Sequence, residues 1–215
     1  MFKRNPRSYL RITAEFFYPR GGWYRAARYV IHRLRRLPDP AHRISRGIAA
    51  GVFTSFTPFF GLHFLTAALL AWGLRGNILA ALLATFVGNP LTFPLIAEGS
   101  ITLGNFLLGQ PSSIHLPEVF QAFGGATKDL GANFLAIFTD DLADWSRVDR
   151  FYHRVFLPYT VGGFFPGIVA GFLGYFLSNP LIYAYQRRRI KKLKARYEKR
   201  LAKRLSEAGS EDEIR

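Results

Sequence analysis

The chain has 215 residues, of which 29 are Lys or Arg and 14 are Asp or Glu, so its formal net charge is +15. It contains no cysteine, which excludes disulfides, thiolate metal sites and cysteine nucleophiles. A mean hydropathy near zero is typical of a soluble protein, but here it averages long apolar stretches with two strongly basic ends.

The first segment, residues 1–46, holds 12 of the basic residues. No apolar stretch follows the basic residues at its start, so we expect no cleaved secretory signal. Within residues 23–37, apolar positions recur at helical spacing between arginines, which predicts a basic amphipathic helix suited to an anionic membrane surface. The predicted apolar stripe consists of Trp23, Ala27, Val30, Leu34 and Leu37.

Residues 47–74 contain no charged residue. A helix of this length would measure about 42 Å, which exceeds a hydrocarbon core of about 30 Å. Pro58 and Gly61 divide the stretch into two halves, which predicts a re-entrant helical hairpin that enters and leaves from the cytoplasmic side and leaves Arg75 on that side. One long span kinked at Pro58 is the alternative.

The predicted membrane module spans residues 47–109. Its second apolar stretch is interrupted at Asn89-Pro90 and Pro94. Proline lacks a backbone N–H and frees a carbonyl one turn earlier, and such groups cannot face lipid. The break therefore faces protein or a wet cavity. Asn89 and Thr92 either bond the freed backbone or line that cavity, and the sequence leaves both interpretations open.

The remaining chain divides by charge. Residues 110–154 carry four basic and six acidic residues, which predicts short amphipathic helices on the extracytoplasmic side. Residues 155–186 are uncharged and predict a transmembrane segment, and residues 187–215 carry 12 basic residues in a predicted cytoplasmic helix with an acidic tail. With basic residues concentrated at both ends, both termini are expected in the cytoplasm.

These features predict an all-α integral membrane protein. It would combine broken or re-entrant helices with transmembrane helices and carry basic amphipathic helices at both ends. The helix breaks are expected at Pro58, Gly61, Pro90, Pro94 and Pro180.

Two apolar segments resemble each other. Residues 47–56 and 167–176 agree at five of ten positions, and a proline follows each within a few residues. Paired, interrupted apolar segments are typical of transporters built from repeats. Both segments also contain G-x-x-x-G spacings, which permit close helix packing at Gly47 and Gly51 and at Gly167 and Gly171.

The stretch "GIAAGVFTSFTPFFGLH" is followed by "RGNILAALLATFVGNPLTFPLI". Their G-x-x-x-G, P-x-x-G, downstream Asn77 and N-P-x-T-x-P elements resemble a bacterial membrane family named domain of unknown function twenty sixty-two, over roughly residues 30–185. The resemblance implies an inner-membrane location and supplies no activity. The paired breaks are also similar, in architecture alone, to lipid-translocating proteins with facing hairpins.

Ionisable residues inside apolar stretches are candidates for function. If the two breaks meet, His63, Asn89, Thr92 and Glu98 would surround one pocket, and the half-helices that start after Pro58 and Pro94 would favour an anion there. In the alternative, Glu98 is a solvated residue at the outer interface and His63 bonds a neighbouring helix.

No catalytic motif is present, and the five histidines lack metal-ligand spacing, so we expect no enzyme activity, cofactor or metal. The expected partners are membrane lipids, chiefly anionic ones. Homo-oligomerisation stays open, and nucleic acid is not expected because membrane topology alone accounts for the basic ends. Two functions remain: a transporter or lipid translocase with an anionic substrate between the broken helices, or a non-transporting scaffold whose basic arms bind anionic lipid or a cytoplasmic partner.

Overall fold

The computed structural model describes residues 22–35, 37–59, 61–110, 116–136, 138 and 144–212, and every regular element in these ranges is helical. The all-α prediction is therefore confirmed for this part of the chain. The start of the basic arm and the end of the acidic tail lie outside the described residues. The helices are α1 (Gly22–Arg35), α2 (Ala41–Thr54), α3 (His63–Gly73), α4 (Ile78–Ala84), α5 (Phe93–Leu107), α6 (Leu116–Ala136), α7 (Ser146–Phe151) and α8 (Leu157–Asp212).

Two short irregular helical turns connect these elements. A 3₁₀ turn over Thr85–Val87 follows α4, and a π-helical turn over Tyr152–Phe156 joins α7 to α8. The second turn lies just before Pro158. Proline has no N–H to give to the carbonyl four residues earlier, so one α-helical hydrogen bond is missing within this turn.

Among the described residues, one continuous helical stretch is long and apolar enough to cross a membrane, judged by length and composition. It runs from Ser146 to Ala202, through α7, the π-helical turn and most of α8. It continues through Pro166 and Pro180, so the break expected at Pro180 does not occur. A proline removes only one backbone hydrogen bond, and contacts with α2 hold the helix on both sides of Pro180. On those two sides, Gly174 lies close to Ile48, and the buried Ile182 belongs to the core cluster that contains Ile44.

The first apolar stretch doubles back on itself. Helix α2 ends at Thr54, Gly61 in the turn that follows lies in the left-handed region at a φ of 79°, and α3 then returns. The end of this return is tied to the first half of α2, because Arg46 Nη1 donates to the Leu74 carbonyl at 3.0 Å and the Asn77 N–H donates to the Arg43 carbonyl at 2.8 Å. The stretch is thus a helical hairpin followed by α4, which runs beside α2.

The two similar segments pack against each other in opposite directions. Gly171 lies near Ala49, and Gly167 lies near Phe53 and Phe56. Phe53 also meets Phe164 edge to face, with ring centroids 6.0 Å apart. Helices α2 and α8 are therefore antiparallel, and the second G-x-x-x-G pair lies in their interface.

Helix α5 crosses the start of α8, and α6 covers part of that crossing. The cluster formed there is buried and apolar, with Val119 of α6 between residues of α5 and α8. A separate cluster joins Leu37 and α2 to α4 and α8. The first cluster consists of Ala97, Ile101, Val119, Val155 and Tyr159, and the second centres on Leu37, Ala41, Ile44, Ala84 and Ile182.

Candidate functional site

The chain segments at which the two predicted breaks begin lie against each other. Ser55, at the start of the first break, donates from Oγ to the Thr85 carbonyl at 3.3 Å, and a Cβ on Gly88 would lie 3.0 Å from the Ser55 Cβ. Helix α8 approaches the same place, since a Cβ on Gly163 would lie only 2.1 Å from the Phe56 carbonyl oxygen. The first break thus lies between the start of the second break and a glycine-bearing face of α8.

The N-P-x-T-x-P break satisfies its own backbone. Asn89 Oδ1 accepts hydrogen bonds from the N–H groups of Leu91 at 2.9 Å and Thr92 at 3.2 Å, and its Nδ2 donates to the Phe86 carbonyl at 3.2 Å. In return, Thr92 Oγ1 accepts from the Asn89 N–H at 3.1 Å and donates to the Val87 carbonyl. Each side chain thus replaces helical hydrogen bonds lost at Pro90.

Pro94 marks the start of a helix rather than an interruption. It occupies the first turn of α5, where backbone N–H groups have no intrahelical partner and proline is tolerated. The break is therefore the connection between α4 and α5.

His63 lies in the first break and Glu98 lies away from both breaks. The His63 Nε2 is 3.2 Å from the Thr57 carbonyl oxygen, so this ring closes the turn that Pro58 and Gly61 open. Glu98 is exposed on α5, whose buried residues Ala97, Ile101 and Gly104 face α6 and α8. The structure brings together the loops that carry His63, Asn89 and Thr92, and it leaves Glu98 outside.

A cavity of about 360 Å³ opens beside the first break. The hydroxyls of Thr54, Thr57 and Thr66 all donate to carbonyls of their own segment, at 2.8, 2.7 and 3.1 Å. Their outward surface is therefore mainly methyl, and the cavity suits hydrocarbon better than a hydrated anion. Its lining consists of Phe53, Thr54, Thr57, Phe59, Thr66, Leu69 and Leu70.

A polar cluster that the sequence analysis did not identify holds the open end of the hairpin. Asp39 accepts a hydrogen bond from Asn77 Nδ2 and one from Arg43 Nη1 at 3.1 Å, and its carbonyl accepts from Gln186 Nε2 at 2.9 Å. Asn77 also caps α4, because its Oδ1 accepts from the Ala80 N–H at 2.6 Å. The position of Asn77 before an apolar helix was a usable N-cap signal, but Asp39 between two prolines gave none.

The basic ends present their charge to the surroundings. Every side chain from Arg187 to Ala202 is exposed, and none of the Lys and Arg residues among them forms an ion pair within the described part of the chain. At the other end, α1 packs through Leu34, and Leu37 just after it is buried, while the arginines of α1 from Arg25 to Arg33 remain exposed. Trp23, which was also expected on the apolar stripe of this helix, is not among the side chains that the structure describes.

No group of three or more His, Asp or Glu residues that could hold a metal ion occurs in the residues that the structure describes. Comparison with curated proteins found no match, and neither did comparison with solved structures.

One family profile matches residues 24–191, which include both breaks, the Asn77 cluster and the start of the basic part of α8. The match confirms the resemblance inferred from the N-P-x-T-x-P box and covers most of the chain. The chain therefore belongs to the bacterial family described as "uncharacterized protein conserved in bacteria" (DUF2062).

Proposed function

We propose that this protein is a non-transporting scaffold of the bacterial inner membrane, with both termini in the cytoplasm and with basic helices that bind anionic phospholipid. The apolar surface of α8 supports the membrane placement. Phe165, Phe172 and Leu177 are 63%, 61% and 66% exposed, whereas a soluble monomer rarely leaves so continuous an apolar surface uncovered. A bilayer would cover these side chains.

The observation that carries the proposal is the exposed basic segment that follows this apolar stretch. Arg187, Arg188 and Arg189 come directly after Gln186, and Lys191 and Lys192 extend the charge by a turn. Each basic residue near an anionic leaflet contributes about 1 kcal/mol of attraction. Phosphatidylglycerol headgroups are suitable counterions for these otherwise unpaired side chains.

The chemistry of the breaks supports a scaffold over a transport pathway. Asn89 and Thr92 direct their polar atoms to neighbouring backbone, and His63 closes the adjacent turn. A substrate at this point would have to compete with bonds that the freed backbone requires. The breaks therefore serve to fold the hairpin against α8.

A lipid-binding experiment tests the scaffold. The full chain in neutral detergent is titrated with short-chain phosphatidylglycerol or phosphatidylcholine, and the thermal midpoint is recorded. We expect a larger stabilisation by phosphatidylglycerol, and we expect the combined R187Q, R188Q and R189Q substitutions to remove most of the difference. The matched control carries R196Q, K199Q and R200Q, which remove three charges farther along the same exposed helix. Equal stabilisation by both lipids would contradict the proposal.

A lipid translocase is the second candidate, because the two breaks meet beside an apolar cavity and the similar segments pack in opposite directions. The test is a proteoliposome assay in which dithionite reduces fluorescent phosphatidylglycerol in the outer leaflet. The scaffold predicts the same protected fraction as in liposomes without protein. Translocation would be established instead if the protein reduced the protected fraction of lipid and N89A, reconstituted to the same level, restored it.

Thiol labelling gives an independent measure of water at the breaks, since the native chain has no cysteine. Single cysteines replace Ser55, Thr92 and Leu95, and a membrane-impermeant reagent is applied from each side. We expect the cysteines at positions 55 and 92 to stay unlabelled. A control cysteine placed near Ala202 should react. Labelling of the breaks from both sides would indicate a water-filled path and favour translocation.

A further inference from the structure

A second polar region lies at the opposite end of α8 from the exposed basic segment. It is a pocket of about 230 Å³ between α6, α7 and the π-helical turn. Apolar residues and Gly125 form part of its wall, and three arginines and two other polar residues complete it. Its lining consists of Glu118, Gln121, Ala122, Gly125, Ala126, Arg147, Arg150, Phe151, Arg154 and Val155.

The three arginines have different surroundings. Arg147 Nε lies 3.0 Å from Asp129 Oδ2, a carboxylate whose side chain is 7% exposed, so this guanidinium is already paired. Arg150 and Arg154 form no ion pair or hydrogen bond with the residues that the structure describes, and Glu118 forms no ion pair with them. Two guanidinium groups thus border one small pocket, and neither forms an ion pair with the Glu118 carboxylate that also lines it.

The walls of the pocket are fixed by contacts between the segments that form it. Phe123 of α6 meets Phe151 of α7 edge to face, with ring centroids 4.6 Å apart. Asn133 and Asp144 exchange two hydrogen bonds, Asn133 Nδ2 to the Asp144 carbonyl at 2.8 Å and the Asp144 N–H to Asn133 Oδ1 at 3.0 Å. A ligand would therefore find its arginines on preorganised helices.

The start of α7 is also held by an acid. Asp144 Oδ1 accepts a hydrogen bond from the Ser146 N–H at 2.9 Å. This bond holds the pKa of Asp144 below its ordinary value, so the group is ionised at neutral pH. The bond helps to place the start of α7, and the carboxylate also attracts Arg147 and Arg150.

We propose that this pocket binds a phosphate group through Arg150 and Arg154, with Gln121 as a side-chain donor. Guanidinium groups match phosphate oxygens in geometry and charge. The apolar wall formed by Ala122, Ala126 and Phe151 would receive the carbon skeleton beside the phosphate. The same chemistry fits a lipid headgroup or a soluble phosphorylated molecule, and the site goes beyond the proposed function, which rests on the other end of the chain.

Gly125 allows the pocket to be filled without disturbing the fold. A Cβ at Gly125 would meet no heavy atom within 4 Å, and the same holds for the neighbouring Gly124, which does not line the pocket. G125L should therefore occupy the phosphate position, while G124L is a matched control on the same helix. For the charges, R150Q combined with R154Q is compared with K128Q, an exposed basic residue of α6 outside the pocket.

The full chain in neutral detergent is titrated calorimetrically with inorganic phosphate and with dihexanoyl phosphatidic acid. We expect G125L and the double arginine variant each to weaken binding at least about tenfold relative to their controls, since every 1.4 kcal/mol corresponds to tenfold. Weak binding to the basic ends is common to all variants and cancels in the comparison.

The two probes distinguish the source of the phosphate. Binding of both supports a site open to soluble phosphate, and binding of the lipid alone supports a headgroup site. Absence of pocket-dependent binding for both probes, with unchanged thermal midpoints for the variants, would overturn the proposal. Failure of G125L to fold would leave the double arginine variant as the deciding comparison. The substitutions at residues 187–189 do not touch this pocket, so the scaffold proposal can fail separately.

Discussion

Glycines have opposite roles in two regions of this molecule. In the body formed by α2–α5 and α8, a Cβ at Gly51 would lie 2.1 Å from the Ala81 carbonyl oxygen, and one at Gly104 would lie 1.8 Å from that of Pro158. In α6, a Cβ at Gly124, Gly125 or Gly131 would meet no atom within 4 Å. The first set lets backbones touch, and the second, of which Gly125 lines the pocket, leaves the surface of α6 open. The difference separates a rigid support from a region free to bind.

The largest expected effect is at Gly104. G104A places a methyl group against the Pro158 backbone, which cannot move aside like a side chain, and we expect a loss of about 3 kcal/mol in the free energy of unfolding. SDS titration of purified protein, with circular dichroism as the signal, measures this loss.

The matched control is G99A on the same helix, where a Cβ would meet no atom within 4 Å. Alanine favours a helix over glycine by about 1 kcal/mol, so G99A should be neutral or stabilising. Equal effects at the two positions would remove the distinction between contact glycines and free glycines.

The next effect is expected at Asn77, where side-chain hydrogen bonds, and not glycine contacts, hold the helices together. N77A removes both the cap on α4 and the bond to Asp39, and we expect a loss of about 2 kcal/mol. N77S retains a capping oxygen without the amide donor, so it should lose about half as much. Thermal midpoints in detergent test this order, and a harmless N77A would show that the cluster contributes nothing.

A smaller effect is expected at Thr92. T92V keeps the shape of the side chain but removes the hydroxyl that accepts from the Asn89 N–H and donates to the Val87 carbonyl. The cost should be about 1 kcal/mol, while T92S should stay near the native value. Equal losses in both variants would indicate that packing of the methyl group, and not hydrogen bonding, holds the break.

The smallest effect is expected in the region around α6 and α7. Arg147 is 62% exposed while Asp129 is 7% exposed, so solvent screens the ion pair from one side, and glutamine keeps a hydrogen-bond donor for the carboxylate; R147Q should cost about 0.5 kcal/mol. The loss should shrink further in high salt, because screening already weakens the pair. A loss as large as that of G104A would contradict the view that this region is the less tightly packed one.

The sequence was sufficient for features with a strong local cause. Uncharged stretches and helix-compatible residues predicted the all-helical structure, and Pro58 with Gly61 marked the turn between α2 and α3. The G-x-x-x-G pair at Gly47 and Gly51 lies where α2 touches α4, as the spacing suggested. Each of these signals needs only a few neighbouring residues.

Features that depend on distant contacts could not be read in this way. Pro180 resembled a break, yet packing against α2 keeps α8 helical around it. Glu98 is close to the second break in sequence, but the rotation of α5 turns it outward. Gly162 and Ser100 meet across α5 and α8 without any motif, and Arg150 and Arg154 gain a pocket only because α6 folds over the π-helical turn.

Because α8 is unbroken, it also determines how far its C-terminal end can extend from the rest of the molecule. Its helical path beyond Gln186 extends to Asp212, and at 1.5 Å per residue this part measures about 39 Å. A helix that leaves a bilayer upright at Arg187 would work as a spacer, holding its far end several headgroup layers above the lipid. The first turns would then touch phospholipid, while the later ones would offer a partner in the cytoplasm a stiff, positively charged handle.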